Sequence, residues 1–354
     1  MSNAFKVAAI QAAPSYLDLP GGIERAVDYI EQAARAGAKL VVFPETWLPC
    51  YPNHIWLGSV AWSMQFTAAY FRNSVEAGSA EDEALAAAAR DNDIQVSMGL
   101  SERAGGSLYI AQWHYGQDGR IIQRRRKLKP THVERTVYGE GDGSDLAVNR
   151  TPLGRIGQLS CWEHLQPLSK YAMYSQDEQI HCAAWPNFAL YRGGAHALGP
   201  EVNTAASRIY AVEGGCYVIA ACALVTEQIR DRLCEGDPQR EQLLISGGGF
   251  TRIYAPDGQS IGNELAEDEE GLVLADIDLD MIAIAKAAAD PAGHYARPDV
   301  TRLLLDATPQ RPVVPFTSTG THAVEPASPP FETEAASTDP DADSPRTKQA
   351  GSPA

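Results

Sequence analysis

The sequence predicts an α/β fold built on one mixed sheet or several. Three observations carry that reading. The chain opens strand–helix–strand, a unit that requires parallel pairing. Apolar runs and helix-periodic segments then alternate as far as residue 279. Two hairpins interrupt the alternation and supply antiparallel partners.

Each element has a local reason. "FKVAAIQ" (5–11) is a short apolar run, read as a buried strand. Over 21–38, Ile23, Ala26, Val27, Ile30 and Ala34 share one helical face, and Gly37 closes the helix. "KLVVFPE" (39–45) is a second buried strand, stopped by Pro44. A capped helix over 79–93 carries acids in its first turn, and a strand follows at 94–100. Residues 107–128 form a hairpin turning at "QDGR", and 154–160 is another strand. Beyond Cys161 the apolar residues fall at helical spacing. Strands at 181–187 and 216–224 flank a helix over 201–215 that ends in Gly214–Gly215. A hairpin with a Pro-Asp-Gly turn (248–261) and a strand at 271–279 complete the set.

From residue 307 the composition changes. The last 48 residues hold nine of the chain's 23 prolines, with Ser, Thr, Asp and Ala and almost no apolar periodicity. Such a segment buries too little surface to offset its ordering entropy, so 307–354 is expected to be a disordered tail and 1–306 the folded domain. The formal net charge of −16 argues against non-specific binding to nucleic acid or anionic lipid. Six scattered cysteines form no CxxC pair, and "MSNAFKVAAIQAAP" does not resemble a signal peptide. The chain reads as a reduced, soluble, cytoplasmic protein.

Three reactive side chains share one placement. Glu45, Lys127 and Cys161 each stand at the C-terminal end of an apolar strand, the edge where active sites of α/β sheets collect. A thiolate nucleophile needs a lowered pKa and a base. A helix starting just after Cys161 would lower that pKa, Glu45 could take the proton, and Lys127 could stabilise negative charge. Glu134 follows Lys127 by seven residues and enters the same edge. Taken singly, Glu45 is also a loop cap, Lys127 part of a solvated basic run, and Glu134 a surface partner of Arg135. Their joint occurrence is what favours chemistry. Glu140 and Glu163 read as supporting acids or loop charges. Zinc on Cys161, His164, His181 and Cys182 is disfavoured, because the spacing matches no ligand pattern.

"FPETW" (43–47), "RKLKPTHVERTVYGEGDG" (126–143) and "GQLSCWEHLQPLSK" (157–170) resemble the signature segments of the nitrilase superfamily of carbon–nitrogen hydrolases. The Cys-Trp-Glu-His stretch is similar to that of bacterial nitrilases, and "DPAGHYARPDV" (290–300) resembles a late segment of the same branch. The resemblance implies a four-layer α-β-β-α sandwich. It implies Glu45 as general base, Lys127 as charge stabiliser, Cys161 as nucleophile and Glu134 as the residue positioning substrate or water. It also implies hydrolysis of an organic nitrile to acid and ammonia through a thioimidate and a thioester, without metal or organic cofactor. The alternatives are cyanide or amide hydrolysis, or a non-catalytic assembly protein on the same fold. Aromatics in "WLPCYPNHIW" and "WPNFALY" suit an aromatic or arylaliphatic substrate, with Trp162, Trp185, Tyr51 and His54 as pocket candidates. Homo-oligomers, dimers building helical filaments, are implied as well, with 164–174 and 201–215 as candidate interface segments.

Overall fold

In a computed structural model of the chain, residues 3–311 and Val313 are described; the expected tail lies almost entirely outside them. Residues up to Pro309 form one compact unit. Its strands are β1 (Ala4–Gln11), β2 (Ala38–Val42), β3 (Val75–Glu76), β4 (Gln95–Ala104), β5 (Ser107–Tyr115), β6 (Ile121–Arg126) and β7 (Tyr138–Gly139). Then come β8 (Asn149–Thr151), β9 (Gly154–Ser160), β10 (Ile180–Trp185), β11 (Tyr217–Cys222), β12 (Arg252–Tyr254), β13 (Ser260–Ile261) and β14 (Gly271–Asp278). They make two sheets. One runs β14-β1-β2-β4-β5-β6, with β3 and β7 attached; the other runs β13-β12-β11-β10-β9-β8. In each, the central strands are parallel and the hairpins lie outside them.

The period of two along a strand assigns each side chain to a layer. Val7 and Ala9 of β1, with Leu40 and Val42 of β2, face Ile180, Cys182, Ile219 and Ala221 of the second sheet. Their neighbours Ala8, Ile10 and Val41 face outward, onto the helices Leu19–Arg35 and Ala80–Asp91. Across the molecule, Leu159, Ala183, Val218 and Ala220 face the helices Pro167–Tyr174 and Pro200–Gly214. The layers are therefore α-β-β-α, the sandwich that the family resemblance implied.

Most expected elements are present with ends shifted by a few residues. The strand expected at 39–45 stops at Val42, and residues 43–45 continue as irregular chain. Segments 60–72, 227–243 and 280–288 carry short helices that the sequence reading did not assign. The segment after Cys161 differs most. A 3-10 turn, Cys161–Leu165, comes first, and the α-helix starts only at Pro167. Proline fits a first helical position because it has no N–H to offer the preceding turn. Among the described residues no helix is long and apolar enough to cross a membrane.

The two sheets bring the C-terminal ends of β2, β6 and β9 to one edge. There the backbone N–H of Glu45 donates to the carbonyl of Trp185, 3.1 Å away, tying the end of β2 to that of β10. The chain before Glu45 passes so close to β4 that a Cβ on Gly99 would stand 1.8 Å from the Pro44 carbonyl oxygen. Only glycine fits there. Gly99→Ala is expected to displace Glu45 and to lower stability by about 2 kcal/mol or more, measured by chemical denaturation. A midpoint within error of the parent would reject this account of the strand crossing.

Candidate active site

Lys127 leaves β6 by one residue and points into the protein. Its ammonium donates to Glu45 Oε2 at 3.1 Å and to Glu134 Oε2 at 2.9 Å. All three side chains are essentially fully buried. An ammonium out of water needs such partners, and two carboxylates this close need it in turn. Glu134 sits in a 3-10 turn, His132–Thr136, and its carboxylate also caps that turn through the Thr131 N–H at 2.6 Å. Tyr51 O–H donates to the other oxygen at 2.8 Å, and Trp56 Nε1 donates to Tyr51.

Cys161 completes the cluster. An oxygen of Glu45, an oxygen of Glu134 and the Cys161 sulfur all lie within 4.8 Å of one another. Such a trio has the donor types for a cation, but the Lys127 ammonium already bonds both carboxylates. The residue has φ +51°, in the left-handed region that non-glycine residues rarely occupy. Glu163 fixes the turn that carries it. Its carboxylate accepts from Arg125 Nη1 at 2.9 Å and Nη2 at 2.8 Å, from the Leu128 N–H at 2.9 Å and from the Ser160 N–H at 2.8 Å. One buried bidentate pair thus clamps the chain on either side of Lys127 to the residue before Cys161. Burial alone would raise the Glu163 pKa, but Arg125 and the two backbone donors hold it below the usual carboxylate value.

Electrostatics assigns different resting states to the site. Burial raises Glu45 to about 8, against the pull of Lys127 and with the push of Glu134. Its Oε1 has no hydrogen-bond partner among the described residues. The thiol of Cys161 also lies well above its usual value, because burial and the two glutamates outweigh Lys127 and the Trp162 N–H. This corrects the expectation of a helix-lowered thiol. The short 3-10 turn supplies one N–H rather than a helix dipole, and the sulfur is dry.

Beside the sulfur lies a narrow cavity of about 40 Å³. Tyr51, Trp162 and Trp185 line it, and so do Trp56, Phe188 and Asn203. Asn203 and Leu198 come from a segment with no reactive signature, and only the tertiary structure brings them here. Trp162 is held by its Nε1–H to Asn203 Oδ1 at 3.0 Å, and Trp185 by Ser207 Oγ at 2.9 Å. His54 is elsewhere. It packs on Phe66, with ring centres 4.6 Å apart, and lines a separate cavity of about 360 Å³ with Val60, Met64 and Phe71.

A carbon–nitrogen hydrolase family profile matches residues 6–287. The chain is 52% identical over 314 residues to a nitrilase of Pseudomonas syringae pv. syringae, covering 89% of this chain and 93% of that one. It is 51% identical to an arylacetone-specific nitrilase of Alcaligenes faecalis, covering 87% and 86%. It is 48% identical to an aliphatic nitrilase of Rhodococcus rhodochrous, covering 92% and 90%. Among solved structures, a carbon–nitrogen hydrolase from Helicobacter pylori G27 superimposes with a TM-score of 0.66 at 19% identity, over 85% of this chain and 100% of that one. A nitrilase-superfamily protein of Saccharomyces cerevisiae gives 0.62 at 19%, over 82% and 96%. At that identity the two structures speak for the fold, and the sequence relatives for the branch: this chain belongs to the carbon–nitrogen hydrolase family, in its bacterial nitrilase branch.

Proposed function

We propose that the protein hydrolyses an arylaliphatic or aromatic nitrile to its carboxylic acid and ammonia. The observation that carries the mechanism is a buried thiol grouped with an unpartnered carboxylate oxygen and a buried ammonium. Glu45 Oε1 takes the thiol proton as the Cys161 sulfur bonds to the nitrile carbon. Electron density moves onto nitrogen, where Lys127 and the Trp162 N–H face it, and protonation there gives a thioimidate. Water, deprotonated by Glu45, adds to the same carbon. Ammonia leaves from the tetrahedral adduct, a thioester remains, and a second water releases the acid and restores the thiol. Glu134, bonded to Lys127 and Tyr51, orients that ammonium and the incoming water.

The substrate class rests on the walls. Tyr51, Trp56, Trp162, Trp185 and Phe188 offer ring faces to an aryl group. One relative is named arylacetone-specific and another an aliphatic nitrilase, so the branch spans both classes. Leu198, on the loop turn His196–Leu198, lines the cavity beside these rings. Self-association belongs to the same proposal. Leu168 of the helix Pro167–Tyr174, with Ile209 and Val212 of the helix Pro200–Gly214, is exposed on the outer layer. These apolar side chains fit a second copy of the chain.

Three experiments test this reading. Ammonia and product release should be followed on phenylacetonitrile, benzonitrile, an aliphatic nitrile, cyanide and the matching amides. Acid and ammonia from the aryl nitriles are expected, with Cys161→Ala reduced at least about 10³-fold; turnover of amides or cyanide alone would move the protein to another activity of its family. Glu45 works ionised, so kcat/KM is expected to fall as pH drops through about 8. A half-point near 4.5 would reject the raised pKa of Glu45. The sign for stability is opposite: a raised carboxyl favours folding fully below its unfolded pKa and loses that advantage as pH rises toward 8, so Glu45→Gln should be inactive yet no less stable at pH 8. Finally, Leu168→Asp is expected to lower the mass seen by light scattering, and an unchanged mass would reject this outer face as an interface.

A further inference from the structure

Behind the nucleophile runs a second line of polar groups that the chemistry above does not use. His164, three residues past Cys161, places Nδ1 2.6 Å from the Cys161 carbonyl oxygen. Its Nε2 lies 3.0 Å from Nε2 of His181 on β10. His181 Nδ1 lies 2.6 Å from Glu178 Oε1, and Tyr210 O–H donates to Glu178 Oε2 at 2.6 Å. All four side chains are at most 1% exposed. The Tyr210 ring stacks on His181 with centres 3.8 Å apart, and Trp185 stacks on His164 at 5.0 Å. The neighbouring strand makes room: a Cβ on Gly157 would stand 2.0 Å from Glu178 Oε1.

The proton positions follow from what each atom can do. A carbonyl oxygen only accepts, so His164 Nδ1 carries hydrogen. Burial, with His181 alongside, keeps His164 neutral, so its Nε2 is bare and His181 Nε2 donates to it. His181 Nδ1 and Glu178 Oε1 then share one hydrogen across 2.6 Å, and the Tyr210 O–H bonds the other carboxyl oxygen. The line therefore has one direction: Glu178, supported by Tyr210, strengthens His181 as a donor, His181 strengthens His164, and His164 pulls on the Cys161 carbonyl.

That carbonyl belongs to the Cys161–Trp162 peptide, whose N–H pulls the Cys161 thiol's pKa down against burial. We infer that Glu178, His181 and His164 are positioning residues that fix and polarise this peptide, so that the Trp162 N–H faces the reacting sulfur and the charge that develops beside it. The grip on the carbonyl also secures the left-handed turn at Cys161. The inference rests on Cys161 being the nucleophile.

The test uses the full chain with phenylacetonitrile and iodoacetamide, following alkylation on the Cys161 peptide by mass spectrometry. Lys127, Glu45 and Glu134 face the sulfur from the other side, Arg125 and Lys170 act on His164, and Tyr174 and Cys216 face Glu178 and Tyr210; the relay variants alter none of these. Glu178→Gln keeps the shape and removes the charge. It is expected to lower kcat about tenfold, leave KM within about twofold, and raise the alkylation midpoint by about one pH unit. His164→Phe keeps the stack on Trp185 and should fall at least as far. Tyr210→Phe, which loses one donor and keeps its ring, should move the same way by less, and it decides the matter if Glu178→Gln does not fold. Tyr174→Phe is the packing control: its ring lies 4.8 Å from Tyr210, but its hydroxyl bonds Glu213. It is expected to leave the midpoint unmoved. Folded relay variants with parental kcat and midpoint overturn the inference. If that happens while Cys161→Ala is inactive, only the relay is rejected; if Cys161→Ala still turns over nitrile, the nucleophile assignment falls instead.

Discussion

One buried ammonium organises the molecule's reactive end. Lys127 has left water almost completely, and among the described residues only Glu45 and Glu134 compensate it within bonding distance. The three residues come from two connections of the first sheet: Glu45 follows β2, and Lys127 and Glu134 both lie between β6 and β7. Cys161 follows β9 of the second sheet, so bringing the thiol to them requires both sheets to stack with their strand ends at one edge. Two acids around one base also leave one negative charge too many for a dry site. Glu45, with an oxygen that has no hydrogen-bond partner among the described residues, is where that imbalance shows as a raised pKa. A carboxylate held reluctant to ionise near neutral pH is matched to taking and returning a proton.

Around this cluster the backbone is strained and then braced. Thr46, His132 and Cys161, each next to or within the site, all have positive φ without being glycine. Conformations of this kind persist when their surroundings over-determine them. Here the surroundings are specific. Glu163 closes four hydrogen bonds on Arg125, Leu128 and Ser160; Gly99 lets the chain before Glu45 cross β4; the His164 line grips the carbonyl of Cys161. Polar groups also stitch the sheets across the sandwich. Gln112 donates to the Cys182 carbonyl at 3.1 Å, and Gln158 to Ser97 Oγ at 2.7 Å. A purely apolar interface would pack as well but would not fix the register of one sheet on the other so sharply.

The dryness that perturbs these groups also makes the chemistry possible. A protonated thiol beside a base avoids a free thiolate that would oxidise or alkylate at random. The aromatic walls border the space beside the sulfur, and there the Lys127 charge and the Trp162 N–H act at low dielectric. The same walls are hydrogen-bonded at their polar edges, Trp162 to Asn203 and Trp185 to Ser207, so their ring faces rather than their N–H groups meet the cavity.

Much of this was legible in the chain. Alternation of strand and helix is a local signal, written by periodicity and by residues such as Pro44 and Gly37, and it located most elements within a few residues. Glu45, Lys127 and Cys161 stood out because each ends an apolar run. Short charged helices such as Glu227–Cys234 left no such signal, and the turn after Cys161 read as helix because 3-10 and α spacings look alike over five residues. The stacking of two sheets was not legible in the residues themselves. Both faces of β1 are apolar, Val7 and Ala9 on one and Ala8 and Ile10 on the other, so its pattern fits a doubly wound sheet equally well. The tertiary structure alone decided that Arg125 would meet Glu163, that His164 would meet His181 and Glu178, that His54 would turn away from the site, and that the thiol would be protonated at rest. Those outcomes depend on which distant segments become neighbours and on how much water they exclude, and neither quantity is encoded at a fixed spacing along the chain.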